Sequence, residues 1–99
     1  MQLTANVRIP QVTSLETAIR LYYEHTELSN TDIKMLFGHL ANSTVGKLKC
    51  KARELMQERN TPVWNPQRVN TEVAYEAWGL DIAKMEYRFK KLKTMEDKP

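Results

Sequence analysis

Residues 31–56 read TDIKMLFGHLANSTVGKLKCKARELM. Two helical patterns flank a small polar turn, and the fold follows from how they are read. In the first, Ile33, Leu36 and Phe37 recur at i, i+3 and i+4, the spacing of one buried helical face. Just ahead, Ser29 and Asp32 have capping-box spacing, in which each side chain satisfies an orphan N–H of the first turn. Gly38 stands where a left-handed residue closes a helix. In the second pattern Val45, Leu48, Ala52 and Leu55 follow at steps of three, four and three, with Asn42 or Ser43 as the cap.

A short helix, a tight turn and a second helix with a narrow apolar stripe are what a helix-turn-helix requires. The stripe must be narrow so that the opposite face is free to enter a major groove. Ile33, Leu36 and Phe37 are expected to pack on Val45 and Leu48, with Leu40 filling the turn. At ~100° per residue the face opposite the stripe carries Ser43, Gly46, Lys47 and Cys50, flanked by Lys49, Lys51 and Arg53. Gly46 has no side chain to hold a backbone off.

Outward from this stretch, residues 1–13 show no helical period, and Pro10 interrupts a loose alternation; they read as an extended arm. Thr13 and Glu16 have capping-box spacing, and Leu15, Ala18, Ile19 and Tyr22 share one face of a first helix. Towards the C-terminus, Pro62 and Pro66 exclude continuous helix from NTPVWNPQRVN, and Trp64 between them is expected to plug onto the core. Asn70 then caps a long helix from about Thr71 to Lys93, with Val69 and Ala74 as a hydrophobic staple. Along it Trp78, Ile82, Met85, Phe89 and Leu92 form a heptad seam that either folds back on the domain's own helices or pairs with a second copy, the length of the helix favouring a homodimer. Gly79 inside that helix implies a kink or a close backbone approach. No internal repeat is read.

The 99 residues carry a net charge of +3, concentrated on two segments: residues 47–59 and 84–99 are each net +3, whereas 1–46 and 60–83 are net −1 and −2. Lys90, Lys91 and Lys93 close the last helix and Glu72 and Glu76 open it, an arrangement that complements its dipole. Cys50 is alone, so there is no intrachain disulfide, and a reducing, cytoplasmic setting is the expectation. No segment has the apolar run of a signal peptide or a membrane span. His25 and His39 lack ligand spacing, and no cysteine–histidine set or glycine-rich phosphate loop is present. Neither an enzyme nor a metal or cofactor is expected.

STVGKLKCKAREL resembles the recognition helix of sigma-factor region-four and LuxR-type helix-turn-helix proteins, with Thr44 and Val45 leading and Ala52, Arg53, Glu54 and Leu55 closing. TDIKMLFG, through Asp32, Ile33, Leu36, Phe37 and Gly38, is similar to the support helix of that family. The resemblance covers roughly residues 15–56. It departs from the pattern in a turn one residue longer and in Gly46, where a larger residue is usual. The size and architecture also look like those of small helix-turn-helix proteins of Gram-positive phages and mobile elements. What the resemblance implies is binding to double-stranded DNA through the third helix.

The expectation is therefore an all-α chain: an extended arm (1–13), a tri-helical helix-turn-helix domain (14–59), a linker (60–69) and a long C-terminal helix (70–99). Its function would be sequence-specific DNA binding, with Asn42, Ser43 and Lys47 at base edges and Thr44, Lys49, Lys51 and Arg53 at phosphates. The alternative is a small-terminase-like packaging or assembly adaptor, an oligomer without specific readout; an antitoxin-like partner binder is a third class.

Overall fold

The computed structural model describes residues 8–96. It is mostly helical, in the order α1 (Leu15–Glu24), β1 (Glu27–Leu28), α2 (Asn30–Phe37), α3 (Asn42–Glu58), β2 (Val69–Asn70), α4 (Thr71–Ala77) and α5 (Ile82–Glu96). The two strands form a short antiparallel ribbon that pairs Glu27 with Asn70 and Leu28 with Val69. No helix among the described residues is long and apolar enough to cross a membrane. The first seven residues of the expected arm lie outside the described part. Residues 8–13 have neither helix nor strand, and Ile9 and Val12 rest half-buried against the core.

Caps set most of the helix starts. Ser29 and Asp32 form the expected capping box on α2, and Asn70 accepts from the Val73 N–H at the start of α4. On α1 the cap is Ser14, which accepts from the Thr17 N–H; Thr13 is drawn away, its own N–H bonding the Leu36 carbonyl and its hydroxyl the Met35 carbonyl. Asp81 does the same service for α5 by accepting from the Lys84 N–H. Only α3 starts bare: its N-cap is Ala41, which offers no side-chain acceptor, rather than Asn42 or Ser43.

The long C-terminal helix is two helices. Gly79 has φ +75°, the Leu80 N–H reaches the Tyr75 carbonyl and the Gly79 N–H the Glu76 carbonyl, the paired bonds of a Schellman ending. The backbone dihedral, and not a close approach, is what requires glycine there, since a Cβ would meet nothing within 4 Å. Trp78 therefore ends α4 inside the core and leaves the seam, and Met85 is buried against its own chain.

One core cluster runs from Ala18 on α1 to Met85 on α5 and includes residues of all five helices and both strands. On α3 the buried row is Val45, Leu48, Ala52 and Met56; Leu55 is only half-buried beside it. Phe37, Trp78, Tyr75 and Tyr22 make an aromatic chain with ring centroids 5.4, 6.4 and 5.1 Å apart in turn. The Trp78 Nε1–H donates to the Leu48 carbonyl at 2.9 Å and the Tyr75 hydroxyl to the Ala18 carbonyl at 2.6 Å. Burial pushes the Tyr75 phenol well above its ordinary pKa. α3 lies on α4, and α5 lies on α1, where the Tyr23 hydroxyl donates to Glu86.

The two halves also repeat a local plan that sequence reading missed. A strand residue, a capped short helix, a positive-φ glycine and a second helix occur in α2–α3 around Gly38 and again in α4–α5 around Gly79. Leu28 and Val69 hold the same place in each plan and pair with each other; so do Phe37 and Trp78, whose rings touch.

The glycines give a stability test. Gly38 and Gly79 have positive φ, so alanine at either should lower stability by roughly 1–2 kcal/mol. Gly46 lies within α3 with open space around its Cβ position, and Gly46→Ala should raise stability by about 1 kcal/mol. Urea unfolding of the three variants checks the opposite signs.

Candidate nucleic-acid interface

α3 is held on three sides. At its start the Lys34 ammonium of α2 donates to the Asn42 side-chain oxygen at 3.1 Å. Along one flank it packs on α4, where Trp78 reaches Leu48 and Arg59 makes a two-pronged pair with Glu76. Along the other flank lie β2 and the 60–68 loop. Lys49 donates to the Gln67 carbonyl at 2.6 Å and to Asn30 at 2.9 Å, and Arg53 donates to the Pro66 carbonyl at 2.7 Å. The helix ends with Asn60 in the left-handed region, which lets the Thr61 N–H close on the Met56 carbonyl.

The fourth side is open. Ser43, Gly46, Lys47 and Cys50, the residues placed opposite the apolar stripe, are all exposed on it. Asn42 is exposed at the same end, and Thr44 is half-buried. Lys51 sits at the margin, half-buried beside Glu54, Leu55, Glu58 and Ala77 around a shallow depression. One oxygen of Glu54 is buried there without a hydrogen-bond partner among the described residues. Carboxylates thus follow the lysines along the helix, and the positive surface of α3 is confined to its first three turns. Its first turn carries no acidic residue, so the partial positive charge of its N-terminus is not neutralised locally.

Two of the four residues assigned to phosphates, Lys49 and Arg53, are therefore turned to the loop. Lys49 is partly desolvated there, and with Arg53 close by its pKa is lowered. Trp64, expected in the core, is 71% exposed. Its backbone N–H donates to the buried Glu27 carboxylate at 3.2 Å, so the loop is fastened while the indole projects outward. Pro62 and Pro66 marked the loop in sequence. Nothing local marked which carbonyls the cations would find.

Comparison with family models, with curated proteins and with solved structures finds no match. The functional reading therefore rests on the geometry.

The Arg59 hydrogen bonds hold the Glu76 carboxyl below its ordinary pKa of 4.5. A depressed carboxylate stabilises the fold fully above that ordinary value and loses its contribution as pH falls through the lowered one. Stability measured by urea unfolding from about pH 6 to about pH 3 should therefore fall less steeply in Glu76→Gln. Both side chains are about half exposed, so added salt should narrow the difference.

Proposed function

We propose that the chain binds double-stranded DNA sequence-specifically through the first turns of α3, as a small regulator of the phage or bacterial kind. The observation that carries this reading is Gly46. It lies in a helix interior, where glycine costs about 1 kcal/mol relative to alanine, yet it has ordinary helical dihedrals and no close neighbour. No described residue uses its smallness. A partner's surface approaching closely on the open side does.

The neighbouring chemistry suits a nucleic acid. The uncapped N-terminus of α3 offers backbone N–H groups and a favourable dipole to a phosphate. Lys47, exposed beside Gly46, suits the O6 and N7 of guanine, and Ser43 suits either base of a pair. The Asn42 oxygen is engaged by Lys34, and its amide N–H₂ donates to no partner among the described residues. Thr44 and Lys51 serve the backbone. Lys49 and Arg53 act at one remove, by holding the loop.

Self-association through the outer end of α5 belongs to the same reading. Phe89 is half-buried with the Lys93 ammonium over its ring, and Leu92 and Met95 are 44% and 69% exposed. With Ile82 half-buried and Trp78 and Met85 committed to the core, Phe89 and Leu92 are the part of the seam free to pair. Two copies joined there would present two α3 helices to a palindromic site. The same exposed end favours the second reading, an oligomeric packaging or assembly adaptor without specific readout.

Selection from random-sequence duplexes, followed by anisotropy at two salt concentrations, tests the proposal. The wild-type chain should enrich a motif and lose affinity steeply with salt. Lys47→Ala should change which sequences bind, while Lys51→Ala weakens all alike and flattens the salt slope. Gly46→Leu, which has room in the fold, should cost at least about tenfold in affinity. Sequence-blind, weak affinity in a large defined oligomer would favour the adaptor. Unaltered binding by both Lys47→Ala and Gly46→Leu would show that α3 enters no groove.

A further inference from the structure

The 60–68 loop presents one large aromatic side chain on a fixed backbone. Trp64 and Val63 are 71% and 55% exposed. Beneath them the loop is tied to the body at three points, the Trp64 N–H to Glu27, the Gln67 carbonyl to Lys49 and the Pro66 carbonyl to Arg53, and within it the Gln67 N–H donates to the Asn65 side chain. Pro62 and Pro66 stiffen it further. A tryptophan exposed on a floppy segment needs no explanation, but here the ordering has already been accomplished by buried and charged partners. A loop held this way would lose little further backbone freedom on meeting a partner.

Position identifies the partner. Around α3, at ~100° per residue, the loop-holding Lys49 and Arg53 sit immediately beside Gly46 and Cys50 on the open face. A helix in a major groove about 12 Å wide has the bordering sugar–phosphate strands at its flanks. The loop lies on one such flank. Its charge matches: residues 60–68 hold Arg68 and no carboxylate, and Arg53, Arg68 and Val63 line a shallow cavity of about 320 Å³ between the loop and the end of α3.

We propose that the 60–68 loop is a second DNA-contacting element, in which Trp64 packs its indole on the deoxyribose edge of the strand bordering the groove entered by α3. This rests on the reading of α3 as the DNA-binding helix. It gives Lys49 and Arg53 a positioning role: they fix the loop, and the loop meets the duplex. Neutral, apolar contact with the sugar adds affinity that salt does not screen, beside the screened contacts of α3.

The chain has two tryptophans, and Trp78 is only 3% exposed, so acrylamide quenching of the full chain reports mainly Trp64. Quenching is measured with and without saturating short random-sequence duplex at low salt, while anisotropy of the labelled duplex reports binding independently. The expected result is a several-fold fall in the quenching constant on binding. Trp64→Ala should bind about tenfold more weakly with an unchanged salt slope and unchanged circular dichroism, and Trp64→Phe should recover part of the loss. Bound duplex with Trp64 still fully quenchable, and Trp64→Ala binding as wild type, would overturn the loop contact and leave α3 standing. No anisotropy change at all would overturn both. Protection that grows with protein concentration in the absence of DNA would overturn the proposal in favour of a second copy covering the indole.

Discussion

Trp78 is fixed by a hydrogen bond from its indole N–H to the Leu48 carbonyl and by the rings of Phe37 and Tyr75, and the residue after it turns the chain at φ +75°. Each aromatic pair of this kind contributes about 0.5–1.5 kcal/mol beyond its buried area. A helix continuing through Gly79 would carry Ile82 and Met85 along the axis of α4. The turn instead lays α5 on α1, where Met85 is buried and Tyr23 meets Glu86. Because Trp78 reaches the middle of α3, the same side chain that ends α4 also clamps α3 from that flank.

With α4 on one flank, the tied loop on the other and α2 at its start, α3 has a single free direction. That direction is the one in which its residues are smallest at the N-terminal end and positively charged. The four other helices have a side-chain acceptor at their starts, whereas α3 has Ala41. The helix held by neighbours on three sides is thus the one whose first N–H groups have no side-chain cap. Gly46 leaves open space on the same side, and Glu54 and Glu58 limit the positive region to the leading turns.

Much of this was legible in sequence because it is local. The Ser29–Asp32 box, the Asn70 cap, the glycine ending at Gly38 and the face carrying Ser43, Gly46, Lys47 and Cys50 all depend on residues within one or two turns of each other. The break at Gly79 was local too, and Asp81 two residues later was its second sign; the heptad spacing from Trp78 to Leu92 concealed it. The place of Trp64 was not legible. Hydrophobicity put it in the core, but Glu27, Lys49 and Arg53, distant in sequence, supply the polar contacts that hold its loop outside. The same contacts turn Lys49 and Arg53 to the loop, since a charge pattern does not reveal which carbonyls the fold brings within reach. The steps of three, four and three on α3 likewise ended on Leu55 where the fold buries Met56, because α4 and β2 widen the covered face by about one residue.

The most direct measurement is a titration of the isotope-labelled chain with duplex DNA, followed by amide ¹H–¹⁵N correlation spectra. If α3 enters a groove, the amides of residues 42–50 should move first and furthest, starting with the uncapped first turn, while those of α1 stay in place. Spectra unchanged at low salt, or changes confined to α5, would contradict the account.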